Sequence, residues 1–431
     1  MEKHTLALTA ALLGTPVMAL AGIDSLTESN FIKDSSLEFG THNIWKYLDE
    51  GETDDRTAHS AWGQGLALDY KSGYFNDFIG VDSSYYGVIK LAAAENFSSR
   101  GILYNDGGKS KGFNKVGQLF GKMKFSESGV SGNLYGGWKL IKLGVLTTSM
   151  RAAPNTYNGW SGDLSYDDYR LRLAYVTKSL NRDSPDKVDF MTSDSKSIDS
   201  IYTGDVQFKN DYLTALYFYG ESEDYLRRNG LELNIKQSKA ISYGVQIYLT
   251  EALDKWDSMA NSKKDFDNRA NHYATDVTWK YNRWITKGGL AYTDANKEGG
   301  IGMYPRHMSK NSRGTFNSMT TAGLDYMRDE EKALSLDVGY QITPEIVLGI
   351  NTHYGFFDYQ GQAVKEGELN VYTLWKPASE KLKDLSIFAM IGPGRTYEHK
   401  GTAPIVDQHG NIKHADSFAA EFRLNYTFKI F

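Results

Sequence analysis

The residues of this chain that could do chemistry do not assemble into a catalytic motif. No His-Glu-x-x-His pair is present to hold a metal, and Gly159-Trp160-Ser161-Gly162 lacks the Gly-x-Ser-x-Gly spacing of a nucleophile elbow. Gly117 and Lys122 are wrongly spaced for a phosphate-cradling loop. The 9 His are scattered, and with 0 Cys there is no thiol nucleophile, zinc thiolate or disulfide to consider. Acidic pairs such as Glu330-Glu331 and Asp167-Asp168 fall at expected turns, where hydration accounts for them. The expectation is no enzyme, no metal and no cofactor.

What remains is charge at every second position. Lys71, Lys90, Lys122, Lys124, Lys139, Arg170, Arg172, Lys280, Arg423 and Lys429 occupy the polar face of alternating segments, and Asp69, Asp276 and Asp337 do the same. Fixed cations along a narrow water-filled path attract anions, and Arg grips carboxylates bidentately. Opposed acidic and basic rows would instead set a transverse field. Any wet lumen also needs charges for hydration, so alternation alone leaves open which of these residues select.

Only strands can position such rows. Phe422, Leu424, Tyr426, Phe428 and Ile430 alternate with Arg423, Asn425, Thr427 and Lys429. A strand sorts that pattern into an apolar face and a charged one, whereas a helix would smear it. The pattern recurs: Leu66, Leu68 and Tyr70 alternate with Ala67, Asp69 and Lys71, and Leu171, Leu173 and Tyr175 with Arg170, Arg172 and Ala174. Leu334, Leu336, Val338 and Tyr340 alternate with Ser335, Asp337 and Gly339. The expected strands are 36–46, 60–72, 78–91, 114–126, 130–145, 160–166, 169–177, 200–208, 212–221, 229–236, 240–250, 272–281, 284–293, 333–341, 346–356, 367–375, 385–391 and 418–431. That makes about eighteen, with sixteen as the alternative, an even number suited to a closed barrel. Short turns, such as Ser72-Gly73, Asp167-Asp168 and Asn282-Arg283, alternate with long polar stretches at 96–111, 147–158, 179–199, 251–271, 294–332 and 393–417. The apolar run 315–327 is read as ordered loop.

Composition agrees. Tyr 29, Phe 20, Trp 8 and Gly 42 are high and Pro is 8, as interfacial aromatic girdles and curving strands require. The mean hydropathy of −0.48 resembles that of a soluble protein, but a barrel strand shows lipid only every second residue. Thr5 to Leu20 is uncharged and mostly apolar, and Ala19-Leu20-Ala21 offers a cleavage site. Residues 1–21 are therefore expected to be a secretory signal peptide and 22–431 the barrel domain. The net charge of −5 offers no basic footprint for nucleic acid.

In lipid every backbone polar group must pair internally, so the sheet must close. A barrel of this strand number leaves an aqueous channel unless something folds into it. The class implied is an all-β transmembrane antiparallel barrel in the bacterial outer membrane that conducts small hydrophilic solutes.

Several segments, in collinear order over most of the chain, resemble the OprD family of outer-membrane porins. Phe31-Ile32-Lys33-Asp34-Ser35-Ser36-Leu37 resembles the family's mature N-terminal segment. Trp62-Gly63-Gln64-Gly65 with Asp69-Tyr70-Lys71-Ser72-Gly73-Tyr74 is similar to its second-strand signature, and Phe113-Asn114-Lys115-Val116-Gly117 to the entry of its fourth strand. Glu221-Ser222-Glu223-Asp224-Tyr225-Leu226-Arg227 resembles its loop after the ninth strand, and Glu366-Gly367-Glu368-Leu369 with Leu374-Trp375-Lys376 its sixteenth strand. Pro154-Asn155-Thr156-Tyr157-Asn158-Gly159 resembles its third loop, which folds into the lumen as an eyelet. The resemblance implies eighteen strands, passive diffusion of selected solutes, and an eyelet carried by Arg151, Asn155 and Tyr157. Solute classes in the family include basic amino acids, carboxylate-bearing metabolites and chitooligosaccharides. This chain has more lysines and fewer arginines than the arginine-lined members.

The expected partners are outer-membrane lipid, small hydrophilic solutes, and the barrel-assembly machinery, which would read the last strand ending at Phe431. A homotrimer stays open, because lipid-facing and subunit-facing strands look alike in sequence. The other readings are a barrel lipase or protease, a fatty-acid-type barrel transporter, and a soluble secreted β-protein. The first needs a catalytic set at one rim, the second an N-terminal hatch, and the third leaves the terminal Phe without a role.

Overall fold

The structure, a computed structural model, describes residues 29–49, 59–94, 99–148, 150–312, 318, 324–400 and 403–431. The expected signal peptide, 1–21, lies outside the described residues. Eighteen long antiparallel strands form the wall. The first six are β1 (Ser36–Asp49), β2 (His59–Lys71), β3 (Ile79–Ala93), β4 (Phe113–Glu127), β5 (Val130–Lys139) and β6 (Thr156–Tyr166). Next come β7 (Tyr169–Leu180), β8 (Ile201–Lys209), β9 (Leu213–Ser222), β10 (Leu226–Lys236), β11 (Ile241–Ala252) and β12 (Arg269–Tyr281). The last are β13 (Trp284–Asp294), β14 (Lys332–Gln341), β15 (Ile346–Tyr359), β16 (Gln362–Trp375), β17 (Ser386–Tyr397) and β18 (His414–Lys429). Each expected strand has its counterpart. β1 pairs with β2 and also with β18, from Glu38↔Lys429 to Asp49↔Phe418, so the sheet closes on itself. Closure leaves no ladder edge open to hydrocarbon.

The apolar half of each alternation lies on the outer face. Leu68, Leu173, Leu334, Ile391 and Phe428 are all exposed there. The opposite face touches the loops folded into the barrel: a Cβ on Gly63 would lie 2.6 Å from Ile102 Cγ2. Tyr70 departs from its row. It is buried with Phe31, Ile32, Leu37 and Val81, because the helical turn Asn30–Lys33 covers it.

At one end the connections are tight. Ser128-Gly129 joins β4 to β5 with both residues at positive φ (50° and 83°), the type I′ geometry that matches strand twist. Asp167 (φ 48°) and Asn282 (φ 51°) turn the β6–β7 and β12–β13 hairpins, and Asp and Asn tolerate that left-handed region. Exposed aromatics flank these turns: Tyr166, Tyr169, Tyr281 and Trp284 form part of a girdle.

At the other end the described parts of five long connections fold inward: 94 and 99–112 (loop 2), 140–148 and 150–155 (loop 3), 181–200 (loop 4), 253–268 (loop 6), and 295–312, 318 and 324–331 (loop 7). Loops 3, 4, 6 and 7 meet in one core against the inner wall. Ile141 and Leu146 of loop 3 pack with Phe190 and Ile198 of loop 4, Trp256 and Phe266 of loop 6, and Tyr304 and Met308 of loop 7. Trp256 stacks on Phe266 at 4.5 Å and donates from Nε1 to its carbonyl at 3.0 Å.

The expected strand 130–145 is shorter in the structure, ending at Lys139. Residues 141–146 are apolar but fold back: Leu143 and Leu146 exchange backbone hydrogen bonds at 3.0 Å around Gly144, whose φ is +51°. Their apolar side chains join the loop core instead of the lipid face. Conversely β6 begins at Thr156, inside the stretch expected to be loop.

Candidate pore constriction

Three arginines from three different loops converge inside the barrel. Gly101 of loop 2 sits at φ +65°, and a Cβ there would lie 2.8 Å from both Arg151 Nη1 of loop 3 and Arg182 Nη2 of loop 4. Arg100, next in the chain, acts electrostatically on Arg151. Burial first, then the charges of Arg182 and Arg100, push the Arg151 guanidinium down to about 9, with Glu421 and Asp183 opposing. Lys46 of β1 belongs to the same cluster: both Arg100 and Arg151 act on it, and it pairs with Glu421 of β18 at 2.6 Å. Arg423 also binds Glu421. The arrangement concentrates positive charge with one strand carboxylate as counter-ion. It suits attraction of an anionic group, which guanidinium binds through paired hydrogen bonds.

Loop 3 is held against the wall by fit and by polar anchors. A Cβ on Gly65 of β2 would overlap the Ala152 carbonyl, so only glycine lets the loop lie flush there. Lys115 of β4, 5 % exposed, donates from Nζ to the carbonyls of Pro154 (3.0 Å), Asn181 (2.5 Å) and Ser184 (3.5 Å), tying loop 3 to loop 4. Arg172 of β7 makes a bidentate pair with buried Asp205 of β8, both contacts at 2.7 Å, and its Nη1 donates to the Lys142 carbonyl at 3.2 Å. Asp205 also accepts from the Gly144 backbone at 2.9 Å.

Of the three expected eyelet residues, Arg151 is in the cluster. Asn155 and Tyr157 are 0 % and 1 % exposed. The Tyr157 hydroxyl donates to the Thr147 carbonyl at 2.9 Å, Asn155 Nδ2 donates to that hydroxyl at 3.0 Å, and the Tyr157 ring packs on Phe190. With no surface of their own to offer water, they brace the loop that carries Arg151.

The other expected lumenal residues fall into separate groups. Lys139 lies over the Tyr135 ring at 4.4 Å and shares a cavity of about 130 Å³ with Asp163, Arg170 and Arg172. Arg170 pairs with Asp163 at 3.4 Å. Near the short-turn end, Lys71 pairs with Glu38 (3.2 Å), Lys122 with Asp82 (2.6 Å) and Lys124 with Asp77 (2.7 Å). Lys90, opposite Gly63, and Lys280 and Lys429 are exposed. Asp69 accepts from the Tyr86 hydroxyl at 3.4 Å, Asp276 pairs with Lys287 at 3.5 Å, and Asp337 accepts from the Tyr372 hydroxyl at 2.8 Å. Many of these charges are therefore tied into pairs, not arrayed as one open row.

Sequence reasoning missed Arg100, Arg182, Lys46 and Lys115. The two arginines lie in loops, where no periodicity marks which residues meet. Lys46 did carry a signal, since it falls on the inward phase of β1. Lys115 sits in a quoted motif, but its partners are carbonyls of distant loops.

The chain matches the family model described as outer membrane porin, OprD family, over residues 29–414. Among solved structures it is similar to OccAB3 of Acinetobacter baumannii, with TM-score 0.74 and 19% identity, covering 92% of this chain and 100% of that one. OccAB1 of the same organism gives TM-score 0.75 at 16% identity, covering 94% and 99%. OccK8 (OprE) of Pseudomonas aeruginosa gives 0.71 at 16%, covering 94% and 100%. At these identities the likeness shows the fold. A stretch of 125 residues, 29% of this chain, is 49% identical to the membrane-associated protein UidC of Escherichia coli (strain K12) and spans 23% of that curated relative's length. A closed eighteen-stranded wall, loops folded into its lumen and a family match over nearly the whole length lead to one assignment: the chain belongs to the OprD family of outer-membrane porins.

Proposed function

We propose that the barrel is a passive channel for small hydrophilic solutes into the periplasm, with a preference for anionic groups set by Arg100, Arg151 and Arg182. The meeting of the Arg151 and Arg182 guanidinium groups over Gly101, with the Arg100 charge acting on Arg151, inside a closed wall, is the observation that carries this reading. A side chain fixed at a narrow water-filled passage raises the local concentration of counter-ions and needs no chemical step. The long-loop end then faces the medium and the short turns face the periplasm. The last strand, β18, is the segment that the assembly machinery would engage.

The test is reconstitution of purified barrel in a planar bilayer. Ohmic conductance steps and a reversal potential of anion-selective sign in a salt gradient are expected. Arg151→Ala should raise conductance and shift the reversal potential toward neutral. A silent bilayer would overturn the channel, and an unchanged reversal potential in Arg151→Ala would overturn the role of the arginine cluster.

A further inference from the structure

Loop 7 ends, just before β14, in a described segment, Leu324–Glu331, that lies on the inner wall of β15, β16 and β17. The Leu324 backbone N–H and the Tyr326 hydroxyl both donate to Glu368 Oε1, at 2.9 and 3.2 Å. Tyr326 stacks on His353 with ring centroids 5.7 Å apart. Arg328 approaches Glu366 at 3.9 Å and donates from Nε to the Tyr397 hydroxyl at 3.2 Å. Glu331 Oε2 accepts from the Arg328 backbone at 2.9 Å. Two more acids of the segment point back into loop 7: Asp325 pairs with Arg306 at 2.6 Å, and Asp329 accepts from the Ala295 backbone at 2.7 Å.

The charges of this contact do not balance. Glu331, Glu366 and Glu368 are 0 %, 2 % and 7 % exposed, and Arg328 is the guanidinium set among them. Glu331 Oε1 and Glu366 Oε1 are buried with no hydrogen-bond partner among the described residues, while the Glu366 side chain acts on Glu331 as a close negative neighbour. An ionised carboxylate only accepts hydrogen bonds, so two facing ones repel and leave both oxygens unsatisfied. A buried, uncompensated carboxylate takes up a proton instead of staying charged. One proton converts one carboxyl into a donor aimed at the other, and both orphaned oxygens are satisfied at once.

We propose that Leu324–Glu331 is a proton-dependent latch: a proton shared by Glu331 and Glu366 holds the segment on the wall, and its loss releases the segment toward the pore mouth. Burial, then the Glu366 charge, puts Glu331 well above the ordinary carboxylate range, with Arg328 opposing. The remaining groups facing the pair are Glu368 from β16, Tyr397 from β17, His353 from β15 and Tyr326 of the segment itself. The docked segment thus holds more protons than the released one at pH values above the ordinary Glu range. Docking is strongest in acid and weakens as pH rises, by up to about tenfold per pH unit in that window. For a channel this means quieter currents in acid and more fluctuation in alkali, a consequence that rests on the function proposed above.

The decisive measurement is amide hydrogen exchange of residues 324–331 in the full-length barrel in detergent, corrected for intrinsic rates, at about pH 5 and about pH 9, both above the ordinary carboxylate range. Protection should fall by about tenfold or more between them. Glu331→Gln keeps a donor toward Glu366 at every pH and should hold protection constant. Glu366→Gln makes the same test from the strand side, should the first variant fail to fold. Equal protection of the wild type at both pH values, or a wild-type pH response in the folded Gln variants, overturns the latch. Exchange is read without current, so a silent bilayer would count against the channel and leave this result standing.

Discussion

Lys115→Met removes the clamp between loops 3 and 4 while keeping the length of the side chain. In the wild type the ammonium has three donors and meets three carbonyls, of which Pro154 and Asn181 lie within 3.0 Å. A hydrogen bond from a charged donor contributes about 1.5–3 kcal/mol net, so the two short ones give about 3–6 kcal/mol before the cost of burying the ammonium. That burial costs a few kcal/mol, and the variant in turn leaves two carbonyls without donors, at about 1–3 kcal/mol each if they stay buried. The balance is a loss of at least about 2 kcal/mol of loop docking, equivalent to a shift of about 30-fold or more toward undocked loops. Arg151 and Arg182 would then lose their fixed approach to each other over Gly101. In single-channel recordings the variant should show frequent excursions to larger conductance and weaker anion preference. The barrel wall is untouched by the change, so heat-modifiable migration on a denaturing gel should stay as in the wild type. A variant with that migration intact and with wild-type current noise and reversal potential would refute the clamp.

Three further outcomes follow from the same geometry. Gly65→Val places a branched side chain where the Ala152 carbonyl lies, so loop 3 must lift, and conductance should rise although the barrel remains folded. Arg172→Ala strands the buried Asp205 carboxylate and should cost about 3–5 kcal/mol, read as a lower melting temperature, while Arg172→Ala combined with Asp205→Ala should cost less than the single change. The anion preference should shrink between about 0.1 M and about 1 M salt, as the screening length drops from about 10 to about 3 Å, and a preference independent of salt would argue against fixed charges as its source.

The wall of the barrel was legible in the sequence because its cause is local. Each strand needs an apolar group outward at every second position and a turn at its end, and both requirements are written in adjacent residues. Leu171, Leu173 and Tyr175 with Arg170 and Arg172 announce a strand and its two faces without reference to anything else. Even Asp167 and Asn282 could be placed at turns, since few other residue types tolerate their backbone angles. Where local signals conflicted with a distant partner, the reading slipped. Residues 141–146 have the apolar character of a strand, yet fold back because the loop core offers them a drier surface than continuation of β5. Tyr157 looks like a pore aromatic, yet is buried because Phe190 and the Thr147 carbonyl wait for it.

The constriction belongs wholly to the second kind. Arg100, Arg151 and Arg182 are separated along the chain, lie in segments without periodicity, and meet only because three loops descend into one lumen. Sequence alone determined that there would be a closed, wet barrel with charge on its inner face, since that follows from alternation and from the demand of lipid for a paired backbone. Tertiary structure alone decided which charges are paired off as ballast and which are gathered where loops 2, 3 and 4 meet, because those pairings depend on where loops come to rest, and nothing in nearest-neighbour residue order encodes that.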